Sequence, residues 1–253
     1  MRDSVTRFSN RVENYARYRP TYPAAVIDLF KSECGLTQDS LIADVGSGTG
    51  ILSELFLRNG NTVFGIEPNG PMRNFAELGL QNFTHFVSVE ATAEATTLEP
   101  ASIDFITAAQ AFHWFDQAKA RTEFARILKP GGWVVLVWNE RRLDSSPFLR
   151  DYESLLLRYG TDYDRVRHEN VEGEIAGFYL PEPVKRTSIE NLQHFDFKSL
   201  KGRTRSASYT PEPGDANFEP MLSELEEIFN THENKGTVTV EYDTRVYYGR
   251  LTG

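Results

Sequence analysis

The chain has 253 residues, 40% apolar, 25% charged and 12% aromatic, with a formal net charge of −9. That length accommodates one large α/β domain, or a domain of common size with a smaller one appended, and the apolar and aromatic content argues against a disordered chain. A lone cysteine, Cys34, excludes an internal disulfide framework and a cysteine zinc cluster, and the acidic balance argues against a nucleic-acid coat.

From Leu41 to Asn139 short apolar runs alternate with helical stretches, the pattern of a parallel sheet with crossover helices. Leu41–Val45 reads as a buried strand, and a glycine-rich turn leads into a helix from Ile51 to Arg58 that Asn59-Gly60 ends. Thr62–Ile66 is the second strand, Gly70–Leu78 the second helix and Thr84–Val89 the third strand. Ile103–Ala108, a helix over Ala118–Leu128, a turn at Pro130-Gly131-Gly132 and a strand over Trp133–Trp138 complete the alternation. After Asn139 the rhythm changes. Ser146–Tyr159 and Val171–Phe178 read as helices, 185–197 as a strand, Phe218–His232 as a helix and Gly236–Arg250 as a terminal strand or hairpin. No apolar run reaches the roughly 18 residues of a membrane span, and the polar stretch Met1–Arg7 lacks a signal-peptide core, so a cytoplasmic protein is expected. The five histidines, His85, His113, His168, His194 and His232, lack metal-ligand spacing, so no metal is expected.

Charge is uneven. Residues 1–20 hold Arg2, Arg7, Arg11, Arg17 and Arg19 against Asp3 and Glu13. Residues 185–205 hold Lys185, Arg186, Lys198, Lys201, Arg203 and Arg205 against Glu190 and Asp196. Either zone alone reads equally well as solvated surface, and together they suit one anionic ligand.

The segment Asp44-Val45-Gly46-Ser47-Gly48-Thr49-Gly50 occupies a strand-to-helix junction. Glycines there turn the chain tightly and let a ligand touch the main chain. Glu67, at the tip of the second strand, suits the two hydroxyls of a ribose. A dinucleotide fingerprint spaces its glycines G-x-G-x-x-G, whereas here the third comes one residue earlier and Asp44 precedes the turn. An acid at that position suits a ligand with an ammonium group better than one with phosphates.

With these residues, Gly65-Ile66-Glu67-Pro68, Ala91-Thr92-Ala93-Glu94, Ala109–Phe115 and Leu128–Gly132, the chain resembles the class I S-adenosylmethionine-dependent methyltransferases. The likeness is to the type 11 small-molecule group that includes trans-aconitate methyltransferases, and Tyr15–Pro20 resembles the segment preceding the fold there. The resemblance implies a doubly wound, Rossmann-like, seven-stranded, mostly parallel sheet with an antiparallel C-terminal edge strand and an inserted helical cap. One domain over 1–253 is expected: lid helices over about 1–35, a donor-binding core over 36–140, a cap insert and edge strand over 141–235, and a terminal strand over 236–253.

The implied cofactor is S-adenosyl-L-methionine. Asp44, Gly46, Ser47, Gly48, Thr49 and Gly50 are implied at its methionine end, and Glu67 at the ribose. Pro68, Met72, Thr92, Ala93 and Glu94 are implied around the adenine, although many relatives carry Asp where this chain has Thr92. Gln110 follows the fourth strand, where donor and acceptor meet.

The methyl donor is activated by its own positive charge, so the protein contributes alignment, exclusion of water and proton removal where the acceptor carries a proton. His113 is a candidate catalytic residue beside Gln110 and Arg19, as base, as hydrogen-bond donor, or as a helix-start residue that orients the loop. Tyr15, Tyr18, Arg19, His113, Trp114 and Arg203 are candidates for the acceptor side, with Arg19 offering a carboxylate a bidentate fork and Arg203 and Arg205 of the second basic zone completing an anion pocket. The expected reaction is methyl transfer to a small, anionic acceptor, with carboxylate O-methylation first, by a monomer or homodimer without nucleic-acid or membrane partners. A non-catalytic S-adenosylmethionine-binding protein is the alternative, and a nicotinamide oxidoreductase is disfavoured by the glycine spacing.

Overall fold

The computed structural model describes residues 17–161, 171–207 and 209–251, so Tyr15 and the first part of the expected lid lie outside the described residues. Strand β1 (Leu41–Val45) is buried on both faces, so its residues are apolar without alternation save Asp44, whose carboxylate is buried with them. Helix α1 (Ala25–Cys34) precedes it, and α2 (Ile51–Arg58), β2 (Thr62–Ile66), α3 (Gly70–Gly79) and β3 (Phe86–Val89) follow. The Asn69 side chain accepts the Met72 N–H and starts α3, with Pro71 in its first turn. Then come β4 (Ile103–Ala109), α4 (Gln117–Ile127), β5 (Leu128–Arg141), α5 (Pro147–Tyr159), α6 (Val171–Tyr179), β6 (Lys185–Phe195), α7 (Phe197–Arg205), α8 (Phe218–His232) and β7 (Val238–Gly249).

The seven strands form one sheet in the order β3-β2-β1-β4-β5-β7-β6. β1 pairs in parallel with β2 and β4, β4 with β5, and β2 with β3. β7 alone runs against its neighbours, entering between β5 and β6 and leaving β6 at the edge. Helices α4 and α6 cover one face through Phe124, Ile127, Phe178 and Tyr179, and α1, α2 and α3 cover the other through Phe30, Phe56 and Ala76. A third apolar cluster joins α5, α7 and α8 to Phe195, Val238, Val240 and Tyr242 at the far end of the β6–β7 pair, which makes the cap.

Two stretches differ from expectation. Pro130-Gly131-Gly132, expected as a turn, lies inside β5, and the β4–β5 register shifts between Ile103 and Phe105 where the glycines pass. The expected strand over 185–197 ends at Phe195, and α7 begins because the Asp196 side chain accepts the Ser199 N–H at 2.7 Å.

Candidate active site

Strand order reverses between β1 and β4, and the crevice beyond the carboxyl ends of those strands is where ligands bind in such sheets. A cleft of about 280 Å³ opens there. Its walls come from four loops: Gly46 and Gly48 after β1, Glu67 to Asn69 and Met72 after β2, Thr92 to Glu94 after β3, and Ala109 to Ala111 with Trp114 and Phe115 after β4.

The three glycines of the turn all have positive φ but meet different surroundings. A Cβ on Gly46 would stand 2.6 Å from the Cβ of Ala111, so this glycine lets the β1 and β4 loops close against each other. A Cβ on Gly48 would find only the Met72 sulfur, at 3.8 Å, and would take space from the cleft. Gly50 faces away: a Cβ there would strike Leu80 at 2.7 Å, so it serves the packing of α2 on the end of α3. Ser47 and Thr49 also stay out of the cleft wall. The Ser47 N–H donates to the Ile66 carbonyl, and Thr49 is buried with its hydroxyl lacking a hydrogen-bond partner among the described residues.

Glu67 is 7% exposed. One carboxylate oxygen accepts the Gly48 N–H at 2.9 Å and the other the Asn69 N–H at 2.8 Å. Burial pushes its pKa up, against the pull of those amides and of Arg73. Each oxygen keeps acceptor capacity, so this fixed carboxylate fits a pair of ribose hydroxyls. Asp44 lies behind the cleft, 1% exposed, accepting Ser53 Oγ at 2.6 Å and Thr107 Oγ1 at 3.0 Å. Burial pushes its pKa up to about 6 despite those hydroxyls, and the nearby Glu67 adds to the rise. Two buried carboxylates beside bare backbone form an acidic cradle, and that donor set fits a nucleoside carrying cationic groups.

Gln110 holds φ +54° at the end of β4, a conformation L-residues seldom adopt. Its amide donates to the Asn139 carbonyl at 3.0 Å, which fixes the cleft floor to β5. Glu94 accepts the Asp116 N–H at 2.8 Å, and so ties the β3 loop to the start of α4. Trp114 and Phe115 form the outer wall. His113 occupies a 3₁₀ turn, Phe112–Trp114, with its ring 4.7 Å from that of Trp114, and it is not part of the cleft wall.

Of the remaining acceptor-side candidates, those within the described residues, Tyr18, Arg19 and Arg203, gather on the cap. The Tyr18 ring lies against Gly202, where a Cβ would come within 2.1 Å of it. Arg19 reaches the Ser206 carbonyl at 3.4 Å, and Arg203 is 7% exposed in the last turn of α7. Arg205 packs over the Phe218 ring instead.

Sequence reasoning missed two residues. Asn69 lines the cleft as well as capping α3, and its signal was an Asn ahead of Gly-Pro. Asn139 is 8% exposed and joins four segments: its amide donates to the Thr21 carbonyl at 3.2 Å, its side-chain oxygen accepts Thr244 Oγ1 and Asn191 Nδ2, and its carbonyl accepts Gln110. A single Asn at the end of an apolar strand carries no such signal. Among the described residues no group of histidines, cysteines and acids could hold a metal, and no helix is long and apolar enough to cross a membrane.

A family model described as a methyltransferase domain matches residues 43–136. An uncharacterized methyltransferase of Mycobacterium tuberculosis is 32% identical over 234 residues, spanning 91% of this chain and 88% of that protein. An uncharacterized methyltransferase of Schizosaccharomyces pombe is 28% identical over 225 residues, 88% of this chain and 87% of that one. Among solved structures, one described as a type II methyltransferase from Anaeromyxobacter dehalogenans superposes with a TM-score of 0.67 at 22% identity, over 93% of this chain and 100% of the other. A methyltransferase from Geobacter sulfurreducens in complex with S-adenosyl-L-homocysteine shares the fold at a TM-score of 0.52 and 12% identity, with both chains fully covered.

Proposed function

The chain belongs to the S-adenosylmethionine-dependent methyltransferases, and from that premise we propose that it methylates a small anionic acceptor, with a carboxylate oxygen as the first candidate for the atom methylated. S-adenosylmethionine supplies the chemistry, a methyl group made electrophilic by its sulfonium. The chain's own residues hold and align. Glu67, fixed by the amides of Gly48 and Asn69, takes the ribose hydroxyls. The bare backbone at Gly46 and Gly48 accepts the methionine end, with Asp44 supplying negative charge from behind. Pro68, Met72, Thr92 and Ala93 flank the adenine, and Glu94 holds their loop in place.

A carboxylate has no proton to lose, so the reaction needs alignment and a dry site more than a base. Gln110, locked to Asn139, sets the floor where donor and acceptor meet, and Trp114 and Phe115 exclude water. His113 then acts as a positioning residue through the Trp114 ring, and Arg19 draws the acceptor's charge toward the cap.

The observation that carries this reading is the Glu67 carboxylate held across the crevice by Gly48 in a cleft at the strand-order reversal. Two measurements test it. Calorimetry is expected to show S-adenosylhomocysteine binding and no binding of a nicotinamide dinucleotide; the opposite preference overturns it. His113→Ala is expected to lower turnover about tenfold while leaving donor affinity unchanged, and unchanged turnover removes His113 from the account.

A further inference from the structure

Among the described residues Arg203 is a buried cation without an anion. It is 7% exposed, and its single hydrogen bond among the described residues runs from Nε to the Tyr242 hydroxyl at 3.3 Å. Neither Nη nitrogen has a protein acceptor there, and no carboxylate pairs with it. Its electrostatic neighbours are the tyrosines Tyr152, Tyr209 and Tyr242, whose phenols are hydrogen-bonding groups and not carboxylates. Tyr152 and Tyr242 are themselves buried, and the Tyr152 hydroxyl is engaged with Thr204 at 3.0 Å.

A second guanidinium, Arg141, lies 5.1 Å over the Tyr152 ring, and it has its own carboxylate in Glu153. Among the described residues this cluster shows two guanidiniums and the Glu153 carboxylate, which is bonded to Arg141. A buried charge is ordinarily paired, because leaving water is costly. The carboxyl end of α7 favours a cation at this position, yet a helix terminus offsets only a fraction of that cost.

The cluster connects with the donor cleft. Tyr242 donates to Gln193 at 3.5 Å, Gln193 donates to the Tyr18 carbonyl at 3.3 Å, and the segment Tyr18–Thr21 is held by Asn139, whose carbonyl accepts Gln110 on the cleft floor. Arg203 does not itself line the donor cleft. An anion on its free fork is thus a different group from the one meeting the methyl.

We propose that Arg203 anchors an oxyanion of the acceptor, a carboxylate or phosphate distinct from the methylated group, in a pocket walled by Tyr152, Tyr209 and Tyr242. This rests on the methyl-transfer reading and deepens it: the acceptor carries a remote anion besides its reacting atom. A planar fork with both Nη groups available matches a carboxylate in bidentate fashion.

The test titrates the full chain, without donor, with succinate and separately with inorganic phosphate. The wild type is expected to bind at least one, which also distinguishes the two oxyanions. Arg203→Met is expected to weaken that binding about tenfold or more. Because the removed charge has no counter-ion, the Tm of Arg203→Met is expected to hold or to rise by roughly 2–4 °C. S-adenosylhomocysteine affinity should stay within about twofold of wild type. A wild type that binds neither probe, a Met variant that binds as the wild type does, or a fall in its Tm overturns the proposal. Failure of the methyl-transfer reading appears separately, as a wild type that does not bind S-adenosylhomocysteine.

Discussion

Glu67 on the cleft wall and Asp44 behind it are two buried carboxylates with no salt-bridge partner among the described residues. Each is harder to ionise in the folded chain than in the unfolded one, Asp44 with a pKa of about 6 against an ordinary 3.8. The folded state therefore holds the proton more tightly. Stability from Asp44 is fully present below about pH 4 and is lost as pH rises through about 6, a change of about 3 kcal/mol for two pKa units. Urea unfolding of the donor-free protein should show stability falling across that window, and Asp44→Asn should flatten the dependence. Donor affinity should run the other way, weakening below about pH 6, because a cationic ligand favours the ionised acid. Glu67→Gln is expected to weaken S-adenosylhomocysteine binding about tenfold by calorimetry, and wild-type affinity in that variant contradicts the ribose role. At this scale the sequence reading located the crevice but could not divide its labour. Gly46, Gly48 and Gly50 look equivalent in a motif, and only the atoms around each separate the loop contact, the open wall and the helix-packing position.

The core elements were legible because β1, β2, β4 and the helices between them obey simple periodicities and end on glycine or capping residues. Helix α7 was not legible. Its residues Phe197–Arg205 are mostly polar, and its start rests on one Asp196 cap after a strand of the same composition. Its packing depends on Gly202, which leaves room for the Tyr18 ring, a contact between residues distant in the chain. Gly202→Ala is expected to displace Tyr18 and cost about 1–3 kcal/mol, seen as faster amide exchange over residues 17–22. Tyr18→Ala in the same background should recover the stability, and unchanged exchange in Gly202→Ala would show that the contact does not hold the segment.

Across the whole molecule, the net charge of −9 describes the surface and not the site. Arg19, from the described end of the first basic zone, bonds Ser206 at the end of the helix that carries Arg203 from the second. β7 enters between β5 and β6 and carries Tyr242 to Arg203 and Thr244 to Asn139, so the cap is built on the sheet that forms the donor cleft. That placement of a terminal strand beside the middle of the chain is set by long-range pairing, which local pattern does not encode. The central claim is that donor cleft and cap act together on a small acid. Incubation of the protein with methyl-labelled S-adenosylmethionine and a panel of small mono- and dicarboxylic acids, amines and phenols tests it most directly. The account predicts label in a carboxylate ester of an acid that carries a second anion, and label confined to amines or phenols would contradict it.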